Sequence, residues 1–108
     1  MIKLLHLGIP TEKKVAGKVY NYVEAIKLHV TNPDADEFKL QYVWAEPDSP
    51  LPEIVRQKNH LSIGVESIED VLSSFDQVAF PPHAINDKLR ICFALKDDVL
   101  FELMEFHE

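Results

Sequence analysis

A histidine-containing pattern occurs twice in this chain, once near the start and once near the middle, and this limits the folds that the chain can adopt. His6-Leu-Gly-Ile9 is echoed by His60-Leu-Ser-Ile63. Both segments have the alternation that is typical of a half-buried strand. Because side chains alternate across a strand, each histidine shares its face with small residues: Gly8 in the first case, Ser62 and Gly64 in the second. Such faces leave space above a sheet, as a cup requires.

A second pair of similar segments lies near the end of each half. Leu40-Gln-Tyr-Val-Trp44 and Phe101-Glu-Leu-Met-Glu105 are strand-like, and each carries a carbonyl-bearing side chain at its second position. That position lies 35 residues after His6 in the first half and 42 residues after His60 in the second. Two echoes in the same order indicate two copies of one unit.

Local signals complete a prediction of the fold. Ser67 with Asp70 resembles a capping box at the start of a helix, and a further short helix is expected at 51–57. Strands are expected at 3–9, 22–31, 37–45, 60–65, 78–80, 88–95 and 99–106, and Pro81-Pro82 and Asp97-Asp98 are expected to mark the breaks between the last three. We therefore predict one α+β domain over residues 1–108. Two βαβββ-like repeats, about 1–56 and 57–108, would form a curved, cup-shaped mixed sheet, and the first repeat is abbreviated and lacks its helix.

The composition limits the kinds of molecule that this chain is expected to bind. The formal net charge is −7, from 18 acidic and 11 basic side chains, and no Lys/Arg cluster interrupts it. Nucleic-acid binding is therefore not expected. No apolar run approaches the roughly 18 residues of a membrane span, and the N-terminus does not resemble a signal peptide, so a cytoplasmic location without membrane association is expected. The single cysteine, Cys92, excludes an internal disulfide and fits a core position.

Three segments carry a resemblance to a known superfamily. They are the strand beginning His60-Leu-Ser-Ile, the segment 46–55 before it, and the final Leu100-Phe-Glu-Leu-Met-Glu105. Together with the paired units, they resemble the vicinal-oxygen-chelate superfamily, which includes glyoxalase I, methylmalonyl-CoA epimerase, extradiol dioxygenases and bleomycin-resistance proteins. The chain is most similar to the epimerase and glyoxalase branch and to small bacterial members without an assigned activity.

The resemblance implies a metal site to which each half contributes two ligands. Carried over by position, the ligands are His6, Gln41, His60 and Glu102. Glu46 is a rival for the second place, because the assignment of Gln41 depends on a one-residue gap in the following loop. The expected cofactor is one divalent ion, and zinc, nickel, cobalt, manganese and iron all fit the ligands.

Such a ligand set has a clear chemical use. Two imidazoles, one amide oxygen and one carboxylate leave a divalent ion with net positive charge, so that it acts as a Lewis acid. Two open positions would take both oxygens of a small substrate and stabilise the enediolate formed when a proton leaves the adjacent carbon. Glu102 is the expected base for that proton. The expected activity is that of a metal-dependent lyase, isomerase or epimerase.

Other possibilities stay open at this point. A binding protein without turnover could use the same scaffold for sequestration, as the bleomycin-resistance type does. Oxygen chemistry at Fe(II) is disfavoured by a fourth ligand. Arg90 is a candidate for binding a substrate anion inside the cup. A homodimer is expected by resemblance, and it would bury Trp44 or Tyr42 if these face outward.

Overall fold

The computed structural model describes residues 2–108, and the chain is mostly strand. It contains two short α-helices, α1 (Glu53–Gln57) and α2 (Ile68–Leu72), and two 3₁₀ turns, Glu24–Ile26 and Pro33–Ala35. The eight strands are β1 (Lys3–Pro10), β2 (Asn21–Val23), β3 (Leu28–Val30), β4 (Leu40–Ala45), β5 (His60–Val65), β6 (Gln77–Asn86), β7 (Leu89–Lys96) and β8 (Val99–Phe106). The predicted mixed α+β fold is confirmed.

All eight strands belong to one sheet, in the order β2-β3-β4-β1-β5-β8-β7-β6. The two central strands, β1 and β5, are antiparallel to each other. Each has a parallel strand on its other side: β4 next to β1, and β8 next to β5. The sheet curls into a half-barrel, and the 3₁₀ turn Glu24–Ile26 near one edge contacts β6 at the other edge. The expected curvature is therefore present.

Apolar side chains form a separate cluster on each face of the curled sheet. The cluster inside the curl comprises Ile26, Leu28, Val43, Leu51, Val55, Phe80, Ile91, Phe93 and Leu100. The cluster on the outer face lies under α2 and comprises Ile63, Val65, Ile68, Cys92, Ala94 and Leu103. Burial raises the pKa of the Cys92 thiol to about 11. This cysteine is thus a protonated core residue, as its position in the sequence predicted.

Two short sequence patterns have the structural effect expected of them: one begins a helix and the other forms a turn between strands. The Ser67 side chain accepts a hydrogen bond from the backbone N–H of Asp70 and so caps α2. Asp97 and Asp98 form the two-residue turn between β7 and β8, with φ angles of 50° and 65°. Two successive residues with positive φ match the turn that best fits the twist of a hairpin.

Two predictions about strands are wrong. The segment 22–31 is not one strand, because the 3₁₀ turn reverses the chain at Lys27, whose φ is 49°. The double proline Pro81-Pro82 does not end a strand but lies inside β6. This strand is at the edge of the sheet, where a missing N–H costs little, and its pairing with β7 is irregular there.

The loop 11–20 contains no helix, in agreement with the expectation for the first half of the chain. It covers part of the outer face of β4. The Trp44 indole donates a hydrogen bond to the Glu12 carbonyl, and the Lys18 ammonium lies over the Tyr42 ring. These two rings therefore face away from the inside of the curl, and the loop covers them in part. Neither α-helix in residues 2–108 is long and apolar enough to cross a membrane.

Candidate metal centre

Three strands at the centre of the sheet bring two histidines and a glutamate together. His6 is on β1, His60 on β5 and Glu102 on β8. Ser62 on β5 is paired with both His6 and Glu102, so these three residues form one row across the sheet. His60 lies two residues before Ser62 and therefore points to the same face. The strand pairing thus places the side chains of His6, His60 and Glu102 inside the curl.

Glu102 lies close enough to each of the two imidazoles to share an ion with it. Glu102 Oε1 lies 3.8 Å from His6 Nε2 and 3.5 Å from His60 Nε2. One potential ligand atom from each residue lies within 4.8 Å of the others. Two ligand atoms that are each about 2.1 Å from one ion can be at most about 4.2 Å apart. Both distances to the carboxylate fit within this limit.

The imidazoles are buried and not fully hydrogen bonded. His6 is 7% exposed and His60 is 3% exposed. Within residues 2–108, neither His6 Nε2 nor His60 Nδ1 has a hydrogen-bond partner. Burial lowers the pKa of His6, although Glu102 and Gln41 act in the opposite direction. His6 is therefore neutral near pH 7, which is the form that binds a metal ion.

Glu102 is a buried carboxylate that remains ionised. Burial by itself would raise its pKa, but interactions with His60, the Ser62 hydroxyl and His6 outweigh this effect, and the pKa is lowered. The Ser62 hydroxyl donates a hydrogen bond of 2.6 Å to Oε1. The Glu102 carboxylate thus faces the two imidazole rings, and this is an electrostatic setting for a cation.

Gly8 provides the space that the His60 ring occupies. The two residues are paired between β1 and β5. A Cβ atom at position 8 would lie only 2.0 Å from His60 Nε2 and 2.2 Å from its Cε1. Any larger residue would displace the imidazole. The small residues noted in the sequence therefore have a specific role here: glycine permits the ring to lie flat over the neighbouring strand.

The two candidates for the remaining ligand lie on opposite faces of the sheet. Gln41 is paired with Gly8, interacts with His6, and lines the cavity inside the curl. The Glu46 carboxylate lies 3.3 Å from His29 Nε2 and accepts a hydrogen bond of 3.0 Å from the Tyr22 hydroxyl. Gln41 is therefore next to the His-His-Glu group, and Glu46 is engaged elsewhere.

Arg90 does not reach the inside of the curl, contrary to the expectation from the sequence. Its neighbours Leu89 and Ile91 line the cavity, whereas Arg90 points to the outer face. There its guanidinium donates to Glu69 at 2.6 Å and to Glu105 at 3.1 Å. The alternation along β7 was recognised, but the choice of face was wrong. Arg90 is held by two carboxylates near α2 and not by a substrate.

A cavity of about 170 Å³ lies inside the curl beside this group. Most of its wall is apolar, and the polar residues in the wall are Gln41, Arg56, His60 and Glu102. Arg56, on α1, was not identified from the sequence as part of the site. The available signal was its position four residues before His60, on a short helix that leads directly into β5. A sequence pattern alone does not show that this helix lies over the cup.

Together these observations define what the group can do. His6, His60 and Glu102 are buried and close together, and within residues 2–108 each imidazole has one nitrogen without a hydrogen-bond partner, so the group could hold a metal ion. Two imidazole nitrogens and one carboxylate oxygen suit a divalent transition ion. The adjacent cavity gives a small molecule access to the same point.

Comparisons with known proteins agree with the fold. No family model and no curated protein matches this sequence. Among solved structures, the chain is similar to a hypothetical protein from Bacillus halodurans C-125, with a TM-score of 0.56 and 20% sequence identity. The similarity covers 99% of this chain and 96% of the other. At this identity it concerns the fold alone, and it supports the curled sheet as one architecture over the whole chain.

Proposed function

We propose that this chain is a metal-dependent lyase, isomerase or epimerase of the vicinal-oxygen-chelate type, which transfers a proton next to a carbonyl of a small oxygenated substrate. The observation that carries the proposal is the buried group of His6, His60 and Glu102 beside an apolar cavity. The proposed cofactor is one divalent ion, with Gln41 as its fourth ligand.

The strand pairing supports the internal duplication that is part of this proposal. The pairs β1–β4 and β5–β8 are both parallel, and each is followed outward by two antiparallel strands. In this interpretation, residues 1–56 and 57–108 are two copies of one unit, joined at β1 and β5. The loop 11–20 of the first copy then corresponds in position to the segment with α2 in the second.

The proposed roles follow from the chemistry of each group. A divalent ion at this point would supply Lewis-acid chemistry and lower the pKa of a C–H bond beside a substrate carbonyl. Glu102 accepts the proton, and the Ser62 hydroxyl fixes the orientation of its carboxylate. A carboxylate with a lowered pKa is a weak base, so this step requires an acidified substrate. Leu100 and Met104, on the same strand face as Glu102, exclude water.

Gln41 separates this proposal from oxygen chemistry at iron. Two histidines and one carboxylate with three open positions also form the ligand set of Fe(II) oxygenases. The place of Gln41, next to Gly8 and interacting with His6, favours four protein ligands and only two open positions. Gln41→Ala is therefore expected to weaken metal binding under the proposal.

A binding protein without turnover is a second candidate, and the apolar wall of the cavity favours it. Such a protein would take up a small apolar molecule through the residues inside the curl and would not need the ion. The homodimer expected from the resemblance stays a prediction. Tyr42 and Trp44 face outward, and the loop 11–20 already covers them in part, which weakens the argument for a dimer that buries them.

Metal content and proton exchange test the proposed function. The purified protein, loaded with divalent ions and then dialysed, is expected to retain about one ion per chain by elemental analysis. His60→Ala should lose it with an unchanged circular dichroism spectrum. His29→Ala is the matched control, since His29 pairs with Glu46 on the other face of the sheet, and it should retain the ion.

Exchange in deuterated water then separates enzyme from binder. Wild-type protein is expected to catalyse deuterium incorporation next to the carbonyl of hydroxyketones or acyl-thioesters, and His60→Ala should not. If wild-type protein retains no ion, or if His29→Ala loses as much as His60→Ala, the metal site proposed here does not exist. Ligand binding without metal and without exchange would establish the binder.

A further inference from the structure

Arg56 is the one arginine or lysine among the residues that line the cavity. Its helix, α1, packs into the cluster inside the curl through Val55 and leads into β5. The guanidinium donates a hydrogen bond of 3.3 Å to the Glu46 backbone carbonyl, and within residues 2–108 this is the one hydrogen bond of the Arg56 side chain. A planar cation with five donors thus borders an apolar space with most of its donors uncommitted.

Arg56 differs from the other arginine of this chain, Arg90, in having no carboxylate partner. Within the part of the chain that the structure describes, no Asp or Glu oxygen forms an ion pair with it. Arg90, by comparison, pairs with both Glu69 and Glu105. The chain has 18 acidic side chains and a net charge of −7. Arg56 is therefore unpaired at the cavity although the chain is rich in carboxylates, and a bound carboxylate would supply the missing bidentate partner.

The position of Arg56 places this contact at the mouth of the cavity. The residue also lines a shallow outer depression, together with Thr11, Glu12, Glu53 and Gln57. His60 and Glu102 are buried, whereas Arg56 is half-buried. A ligand in the cavity would therefore meet Arg56 near solvent and the His-His-Glu group at its inner end.

We propose that the cavity takes a small carboxylic acid with an apolar body, and that the carboxylate pairs with Arg56 at the mouth. The volume of about 170 Å³ is close to that of the engineered cavity of about 150 Å³ that holds benzene. It therefore limits the apolar body to about the size of one ring or a short branched chain. The inner, oxygenated end of a true substrate would then reach His60 and Glu102. That last point rests on the proposed function, whereas the contact with Arg56 does not.

Matched pairs of acid and amide test this proposal with metal-loaded protein. The probes are phenylacetate against phenylacetamide and 4-methylpentanoate against its amide, measured by calorimetry or ligand-observed NMR. Wild-type protein is expected to bind each acid about 10- to 100-fold more tightly than its amide, as for a charged hydrogen-bonded pair. Arg56→Gln should lose this preference and keep its affinity for the amides. Lys58→Gln removes the same charge from the same segment outside the cavity wall, and it should keep the preference.

Each other outcome contradicts the proposal. If no acid binds wild-type protein more tightly than its amide, the cavity does not select anions. If Lys58→Gln loses the preference for acids equally, that preference comes from the net charge of the protein and not from a contact with Arg56. If Arg56→Gln keeps the preference and His60→Ala loses it, the carboxylate binds at the inner group. None of these results alters the metal content of wild-type protein, so failure here is distinct from failure of the proposed function.

Discussion

Two buried glutamates on β8, three residues apart, have very different surroundings. Glu105, on the outer face, is 4% exposed and accepts hydrogen bonds from the Ile68 N–H at 2.8 Å and from Arg90 at 3.1 Å. The His107 ring contacts its second oxygen. Glu102, inside the curl, is 8% exposed and accepts one hydrogen bond, from Ser62.

The difference shows how a charge that is buried for structural reasons can be distinguished from a charge that is buried for function. Ionised side chains are costly to bury unless they are paired and hydrogen bonded. The partners of Glu105 meet this need and also hold the start of α2 against the sheet. Glu102 has His60 Nε2 at 3.5 Å and His6 Nε2 at 3.8 Å from its Oε1, distances longer than those of its counterpart's hydrogen bonds. Under the proposed function, a bound cation would lie between this carboxylate and the two rings.

The largest expected effect is on metal affinity, from a change at Glu102. Glu102→Gln keeps the shape of the side chain and an oxygen for the Ser62 hydroxyl, but removes the negative charge that faces the ion. Even the loss of a residue that only supports a metal ligand costs about 10- to 100-fold in affinity, so about 100-fold or more is expected here. Calorimetric titration of the metal-free protein with a divalent ion measures it.

The stability of metal-free Glu102→Gln provides the control. Because the surroundings of Glu102 outweigh the cost of burying its charge, the neutral isostere should lower the free energy of unfolding in urea, by about 1 kcal/mol or less. A large loss of stability together with unchanged metal affinity would show that Glu102 is a structural residue like Glu105, and the contrast drawn between them would be void.

Glu105→Gln is expected to have the opposite profile. It leaves metal affinity unchanged and lowers the free energy of unfolding by about 2 kcal/mol, since hydrogen bonds to charged groups contribute about 1.5–3 kcal/mol and Arg90 is partly exposed. Urea denaturation of metal-free protein measures this difference. A drop in metal affinity without loss of stability would contradict the assignment.

The pH dependence of stability sharpens this second test. The hydrogen bond from Ile68 N–H, with the contacts to His107 and Arg90, lowers the pKa of Glu105 below its ordinary value of 4.5. A lowered pKa in the folded state means that the stabilisation is complete above the ordinary value and is lost as the pH falls through the folded one. Wild-type protein should therefore lose stability more steeply below about pH 4.5 than Glu105→Gln does.

The sequence was sufficient for the parts of the fold that depend on alternation. His6 and His60 each alternate with a row of apolar residues, so the face on which each lies could be predicted. The place of Glu102 in the same site was implied by the resemblance of the final strand to the superfamily. The turn at Asp97 and Asp98 could be predicted equally well, because aspartate is one of the few residues that adopt positive φ. These features are local, and local patterns are what a sequence displays directly.

Other features depend on contacts between distant segments and were not predictable in this way. Alternation placed Arg90 on one of two faces but could not say which, since the sequence does not show where Glu69 and Glu105 will lie. The place of α1 over the cup, and with it the role of Arg56, depends on how the sheet curls. Pro81 and Pro82 are tolerated because β6 is an edge strand, and strand order is a global property.

The smallest effect concerns Ser62, and it distinguishes the two regions by their response to metal. Ser62→Ala removes the hydroxyl that donates a hydrogen bond to the Glu102 carboxylate. Within residues 2–108, no other group donates to this carboxylate with normal hydrogen-bond geometry. The expected cost is about 1 kcal/mol in metal-free protein. With a divalent ion bound, the ion compensates the charge, so the cost should be smaller.

Ser67→Ala is the control. It removes the cap of α2 on the Glu105 side, and it should cost about 1 kcal/mol whether or not metal is present. Urea denaturation of both variants, with and without the ion, measures the difference. Equal costs for Ser62→Ala in the two states would mean that the carboxylate of Glu102 does not face the ion.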